Sequence, residues 1–136
     1  MKNMNKVLLT ILILSMITVI SGCQKTEEIT YKQISQEEAA EMMTKDDGHV
    51  IVDVRRQDEY DAGHIPGAIL IPNESIGCDS PEALPDYDQI ILIYCRTGNR
   101  SKQASEKLAA MGYTNIYEFG GINTWTGEIV TEETEE

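Results

Sequence analysis

Cysteine is scarce in this chain: three residues, at positions 23, 78 and 95, with no Cys-x-x-Cys pair. The two histidines, His49 and His64, stand apart from each other and from the thiols. That scatter argues against a zinc site, so no metal is expected. Basic residues are few as well, 11 Lys and Arg against 23 Asp and Glu, for a formal net charge of −12. Such an acidic balance argues against nucleic acid as a partner and against polybasic docking to anionic lipid. No internal repeat and no long low-complexity stretch occurs. No apolar run reaches the roughly 20 residues that a bilayer crossing takes. What is left is a length of 136 residues, which suits one small domain with short additions.

The additions lie at the ends. Lys2 and Lys6 make a positive start, and Val7 to Ile20 is then apolar except for Thr10, Ser15 and Thr18. This run is short for a membrane span and suits the apolar region of a secretory signal. It ends in Ile20-Ser21-Gly22-Cys23, which resembles the lipobox of bacterial lipoproteins. That resemblance implies removal of residues 1–22 and acylation of Cys23 as the new N-terminus. The protein would then be extracytoplasmic and lipid-anchored to the bacterial cell membrane. Residues 23–28 read as a polar tether, 29–130 as the domain, and 131–136 as an acidic tail that ends solvated.

Within the domain, strand and helix signals alternate. Ile29 to Gln33 suits a short strand. Ser35 with Glu38 fits a capping box, followed by Ala39, Met42 and Met43 at helical spacing. Val50 to Val54 reads as a buried parallel strand. Arg56 to Ala62 suits a short helix, and Ala68 to Ile71 a third strand closed by Pro72. Residues 73–88, with Pro81, Pro85 and Gly77, suit a loop containing one helical turn at most. Gln89 to Tyr94 carries Ile90, Ile91, Leu92 and Ile93, the pattern of a central strand covered on both faces. A helix over Ser101 to Met111 is expected to stop at Gly112. Asn115 to Phe119 is a last strand, and Ile122 to Trp125 a last turn. This alternation predicts an α/β fold with a parallel sheet and right-handed crossovers.

Ligands in such sheets collect beyond the carboxyl ends of the strands, where Cys95 is expected as the first residue after the most apolar one. The loop Cys95-Arg96-Thr97-Gly98-Asn99-Arg100 leads from that strand into a helix. Gly98 and Asn99 tolerate positive φ. A tight loop feeding a helix N-terminus turns its N–H groups inward and favours an anion, hence a nucleophilic thiolate. The same cradle suits a persulfide, whose charge lies on an outer sulfur roughly 2 Å further out. Arg96 and Arg100 supply cations for an oxyanion donor. A buried structural cysteine is the plainer alternative, but it would not require two arginines, a glycine and an asparagine nearby.

Three separated motifs together resemble the rhodanese family. They are Val52-Asp53-Val54-Arg55 with Glu59-Tyr60 and Gly63-His64-Ile65-Pro66-Gly67-Ala68, then Tyr94 to Ser101, then Gly120-Gly121-Ile122-Asn123-Thr124-Trp125. The resemblance spans about a hundred residues and implies a five-stranded parallel sheet flanked by helices. It implies a sulfurtransferase that moves sulfane sulfur from a donor such as thiosulfate to cyanide or a thiol. Cys95 would be the nucleophile, with Arg96, Thr97, Gly98, Asn99 and Arg100 binding the substrate and no cofactor required. A monomer is expected. Asp53, Arg55 and His64 are read as structural, Asp53 accepting from loop N–H groups and Arg55 facing the site or a carboxylate such as Glu59.

Two other functions stay open. Phosphatases and arsenate reductases of the related cell-cycle phosphatase type use a loop one residue longer than Cys95 to Arg100. A non-enzymatic sulfur-carrier or binding module is the other, although inactive family members typically lack the cysteine. Cys78 has no place in the motifs. The loop leaving the third strand emerges on the same sheet edge as Cys95. Both a resolving Cys78–Cys95 disulfide and a lone loop thiol therefore stay open.

The anchor is testable directly. Two acyl chains hold a protein stably where one is marginal. Cys23→Ala is expected to release the protein from membranes or to leave its precursor uncleaved. A processed mutant that still fractionates with membranes would contradict the lipobox reading.

Overall fold

A computed structural model of the protein describes residues 30–134. The expected signal, Cys23 and the expected tether lie outside the described residues. No helix among the described residues is long and apolar enough to cross a membrane.

Five strands form one sheet: β1 (Lys32–Gln33), β2 (Val50–Asp53), β3 (Ile69–Leu70), β4 (Ile91–Cys95) and β5 (Ile116–Gly121). All pairings are parallel, in the order β1-β5-β4-β2-β3. Among the described residues three α-helices accompany them: α1 (Gln36–Met43), α2 (Gln57–Asp61) and α3 (Asn99–Met111). The five-stranded parallel sheet flanked by helices is thus as the motifs implied. The strands are shorter than expected at the sheet edges. The loop after β3 holds one 3-10 turn, Asn73–Ser75.

Strand β4 is central and wholly buried. Its side chains alternate between two cores, as the period of two in a strand requires. Ile91, Ile93 and Cys95 join Val52, Val54, Ala104 and Leu108 on the face covered by α3. Leu92 and Tyr94 join Ala39, Ile51, Ile65 and Phe119 on the face covered by α1. The direction of Cys95 is therefore set by strand parity, and it points toward α3.

Local chemistry sets the helix ends. The Ser35 hydroxyl accepts from Glu38 N–H at 3.1 Å, and Ser35 N–H donates to Glu38 at 2.8 Å, a complete capping box. Helix α3 stops at Gly112, at φ +105°. Its start differs from expectation: it begins at Asn99, because Gly98 at φ +109° makes the turn by itself. Cys95 is likewise the last residue of β4, held there by pairing with Gly121.

Inside α3, Ser105 is fully buried and its hydroxyl has no hydrogen-bond partner among the described residues. A buried hydroxyl left unpaired costs on the order of 1–3 kcal/mol, and alanine is the stronger helix former. Ser105→Ala is expected to raise stability by about 1 kcal/mol in denaturant titration. A clear loss of stability would show that the hydroxyl holds a partner.

Candidate active site

The chain leaves β4 at Cys95, turns through Arg96, Thr97 and Gly98, and enters α3. Cys95 is buried, with 1% of its surface exposed. Gly98 N–H donates to Cys95 Sγ at 3.0 Å. Gly98 itself takes φ +109°, a left-handed conformation that a side chain disfavours, and so turns the chain into α3. Because the first N–H groups of a helix have no partner within it, the start of α3 offers donors and a partial positive charge beside the sulfur.

Strand β5 supports the loop from below. Opposite Cys95 its register slips, so that Ile93 pairs with Glu118 but Cys95 pairs with Gly121. One extra residue fits into β5 at this bulge, and Gly120 takes φ +90° there. A Cβ on Gly121 would collide with the Arg96 carbonyl. That carbonyl instead accepts Asn123 N–H at 3.2 Å. The two glycines of the third motif therefore serve the loop of the second.

Of the five expected substrate-binding residues, Arg96, Thr97 and Asn99 are exposed around the loop and Gly98 lies beneath it. Arg96 makes no ion pair among the described residues. Arg100 is already paired. Its guanidinium forms a two-pronged bridge to Glu59, 2.6 Å from Oε2 and 2.9 Å from Oε1. The same Glu59 Oε2 accepts Arg56 N–H at 3.1 Å and so caps α2. Arg100 draws the Glu59 carboxyl down to about 2, against a smaller opposing effect of partial burial. A groove of about 490 Å³ runs beside the loop, lined in part by Thr97, Gly98, Lys102, Glu118 and Asn123. A roomier groove of about 820 Å³ lies away from Cys95, between the end of α1, His49, Pro66 and Trp125.

The first motif builds a support. Asp53 and Arg55 are buried and bonded together, with Arg55 Nη2 2.7 Å from Asp53 Oδ2 and Nε 3.0 Å from both oxygens. Asp53 also takes Arg55 N–H at 2.9 Å, and Arg55 donates to the Gly63 carbonyl at 2.7 Å. A buried pair survives only when its hydrogen bonds are satisfied this fully. Asp53 thus accepts the Arg55 N–H in the loop after β2 and the Arg55 guanidinium besides, and the side-chain partner of Glu59 is Arg100 in place of Arg55. His64 stacks on the Tyr60 ring at 3.7 Å and exchanges backbone bonds of 2.9 Å with Val130. The Tyr94 hydroxyl accepts Ile65 N–H at 3.0 Å, and burial pushes its own titration far up. Cys78 is exposed and Cys95 buried, and both thiols are free.

Two residues beside the sulfur carry no role in the sequence reading. The Ser101 hydroxyl lies 3.4 Å from Cys95 Sγ and 2.6 Å from Glu118 Oε1. Glu118 is 2% exposed. A single acid in Ile116-Tyr117-Glu118-Phe119, in step with inward-facing Ile116, is the signal that marks it.

Comparison with known proteins bears on this arrangement. The model of the rhodanese-like domain matches residues 35–128. Over 96 residues the chain is 36% identical to the thiosulfate sulfurtransferase GlpE of Pseudomonas entomophila, covering 70% of this chain and 84% of the relative. It is 38% identical over 71 residues to the thiosulfate sulfurtransferase PspE of Escherichia coli, covering 52% and 68%. A solved E. coli rhodanese with anions superposes with a TM-score of 0.56 and 34% identity, covering 61% of this chain and 98% of that one. A rhodanese-like domain protein from Staphylococcus aureus gives 0.63 and 32%, covering 74% and 98%.

The Glu59–Arg100 bridge predicts a pH signature. The folded Glu59 value, about 2, lies below the roughly 4.3 of a free glutamate. The bridge therefore stabilises the fold fully above that range and stops doing so as pH falls toward about 2. Near neutrality Glu59→Gln is expected to cost on the order of 1–2 kcal/mol, trimmed by partial exposure of both partners. In denaturant titrations the gap to the native protein should close below about pH 4. A gap independent of pH would show that the charge contributes nothing.

Proposed function

The chain belongs to the rhodanese-like family, and from that membership we propose that it is a sulfurtransferase using Cys95 as the sulfur carrier. The carrying observation is the sulfur itself: buried at the carboxyl end of the central strand, bonded to Gly98 N–H, at the start of a helix. The thiolate of Cys95 attacks the outer sulfur of thiosulfate. A Cys95 S–S bond forms, the donor S–S bond breaks, and sulfite leaves with its electron pair. The outer sulfur of the persulfide then lies among the loop N–H groups. A thiolate or cyanide attacks it, the Cys95 S–S bond breaks, and Cys95 returns as thiolate. No metal or organic cofactor enters either step.

The loop also weighs against phosphoryl chemistry. From Cys95 to Arg100 it is a short cradle, and the cation at its far end is already neutralised by Glu59. Arg96, exposed and unpaired among the described residues, is the residue we assign to an anionic donor; Thr97 and Asn99 flank it. We place the working protein on the outer face of a bacterial cell membrane, as a monomer held by lipid on Cys23. The support for that address is the Lys2 to Cys23 segment.

Cys95→Ala is expected to reduce sulfur transfer from thiosulfate to cyanide to background while the protein still folds. Cys78→Ser is expected to keep most of it. Equal loss from both changes, or hydrolysis of an aryl phosphate that outpaces sulfur transfer, would overturn the proposal.

A further inference from the structure

The Ser101 hydroxyl carries one proton and has four acceptors around it. Glu118 Oε1 lies at 2.6 Å, the Gly98 carbonyl at 3.0 Å, and the Gly120 carbonyl and Cys95 Sγ each at 3.4 Å. The carboxylate oxygen is the nearest acceptor, at 2.6 Å against 3.4 Å for the sulfur, and short charge-assisted hydrogen bonds are the strong ones. The proton therefore goes to Glu118, and Ser101 turns lone pairs toward the sulfur. It accepts a hydrogen bond from the thiol and gives none to a thiolate.

The carboxylate is held in place. Gly120 N–H, freed by the bulge in β5, donates to Glu118 Oε1 at 2.9 Å, and Gln33 Nε2 donates to Oε2 at 3.2 Å. From α3 it faces Ser101, with Lys102 on the rim of the shared groove. From the β1 side it faces Gln33 and Tyr31, whose hydroxyl is held neutral by burial and by Glu106 and Glu118. Cys95 is the group across Ser101, and Arg100 lies near enough to feel its charge. No cation is bonded to Glu118 among the described residues.

Resting on the reading of Cys95 as sulfur carrier, we propose that Glu118 is a positioning residue that biases Cys95 toward its sulfur-loaded form. A buried carboxylate that also withholds the Ser101 proton disfavours charge on the inner sulfur. In the persulfide the charge sits on the outer sulfur, roughly 2 Å further away and among the loop donors. Glu118 thus penalises the free thiolate more than the persulfide. In the exchange R–S–S⁻ + Cys95–S⁻ ⇌ R–S⁻ + Cys95–S–S⁻, atoms and charge balance, and the penalty falls on the unloaded side. The sulfur is retained until a good acceptor arrives.

The test is alkylation by iodoacetamide, read on the Cys95 peptide across pH, which needs no sulfur transfer. Glu118→Gln keeps the shape and removes the charge. It is expected to speed alkylation at pH 7 about tenfold, the ratio one charge-assisted hydrogen bond commands. In a Ser101→Ala background that gain should shrink to about twofold or less. Equilibration with glutathione and its persulfide should leave Glu118→Gln about tenfold less loaded than the native protein. Alkylation that is unchanged or slower in Glu118→Gln would overturn the proposal, as would a full gain that persists without Ser101. Should Glu118→Gln fail to fold, Glu118→Asp draws the carboxylate back from Ser101 and is expected to speed alkylation by a smaller factor; no change would overturn it. A protein that never loads sulfur yet shows the alkylation shift would retire the sulfur-carrier reading and leave the electrostatic one standing.

Discussion

The contact between Gly98 N–H and Cys95 Sγ, 3.0 Å long, ties the sulfur to the loop that follows it. It closes because the chain reverses within three residues, and Gly98 at the end of the turn sits in the left-handed region. The reversal also starts α3 immediately, which brings its free N–H groups to the sulfur. β5 must pass close beneath, and the close pass is possible because Gly121 has no side chain to strike the Arg96 carbonyl. Sequence positions far apart are thus coupled by one tight turn.

Charge is placed around that turn with care. Arg55 and Asp53 neutralise each other in the interior and fasten the Gly63 carbonyl, so the first motif contributes rigidity. Glu59 neutralises Arg100 and fastens α2 to the start of α3. Glu118 is the exception. It is buried, satisfied by neutral donors, and separated from Cys95 Sγ by one hydroxyl. A neutral hydrogen-bond set can hold a carboxylate, but it does not cancel its field at the sulfur.

Much of this was legible in the chain. The run Ile90 to Ile93 announces a strand buried on both faces, and the alternation of elements announces a parallel sheet whose carboxyl edge carries the site. Ser35 with Glu38, and Gly112, announce helix ends by local chemistry alone. What stayed hidden depends on distant pairing. The bridge from Arg100 to Glu59, 41 positions away, is one such pairing. The bulge that slips β5 and places Gly120 N–H on Glu118 is a matter of register, which local patterns specify weakly. The β-branched runs blur strand ends, so Cys95 falls inside β4 by one residue.

The role of Cys95 is most directly tested by intact-peptide mass spectrometry of the native protein after exposure to thiosulfate. A gain of about 32 Da, one sulfur atom, on the peptide containing Cys95 and reversed by cyanide is the predicted result. An unmodified Cys95 peptide, or the same gain on Cys78 alone, would contradict it.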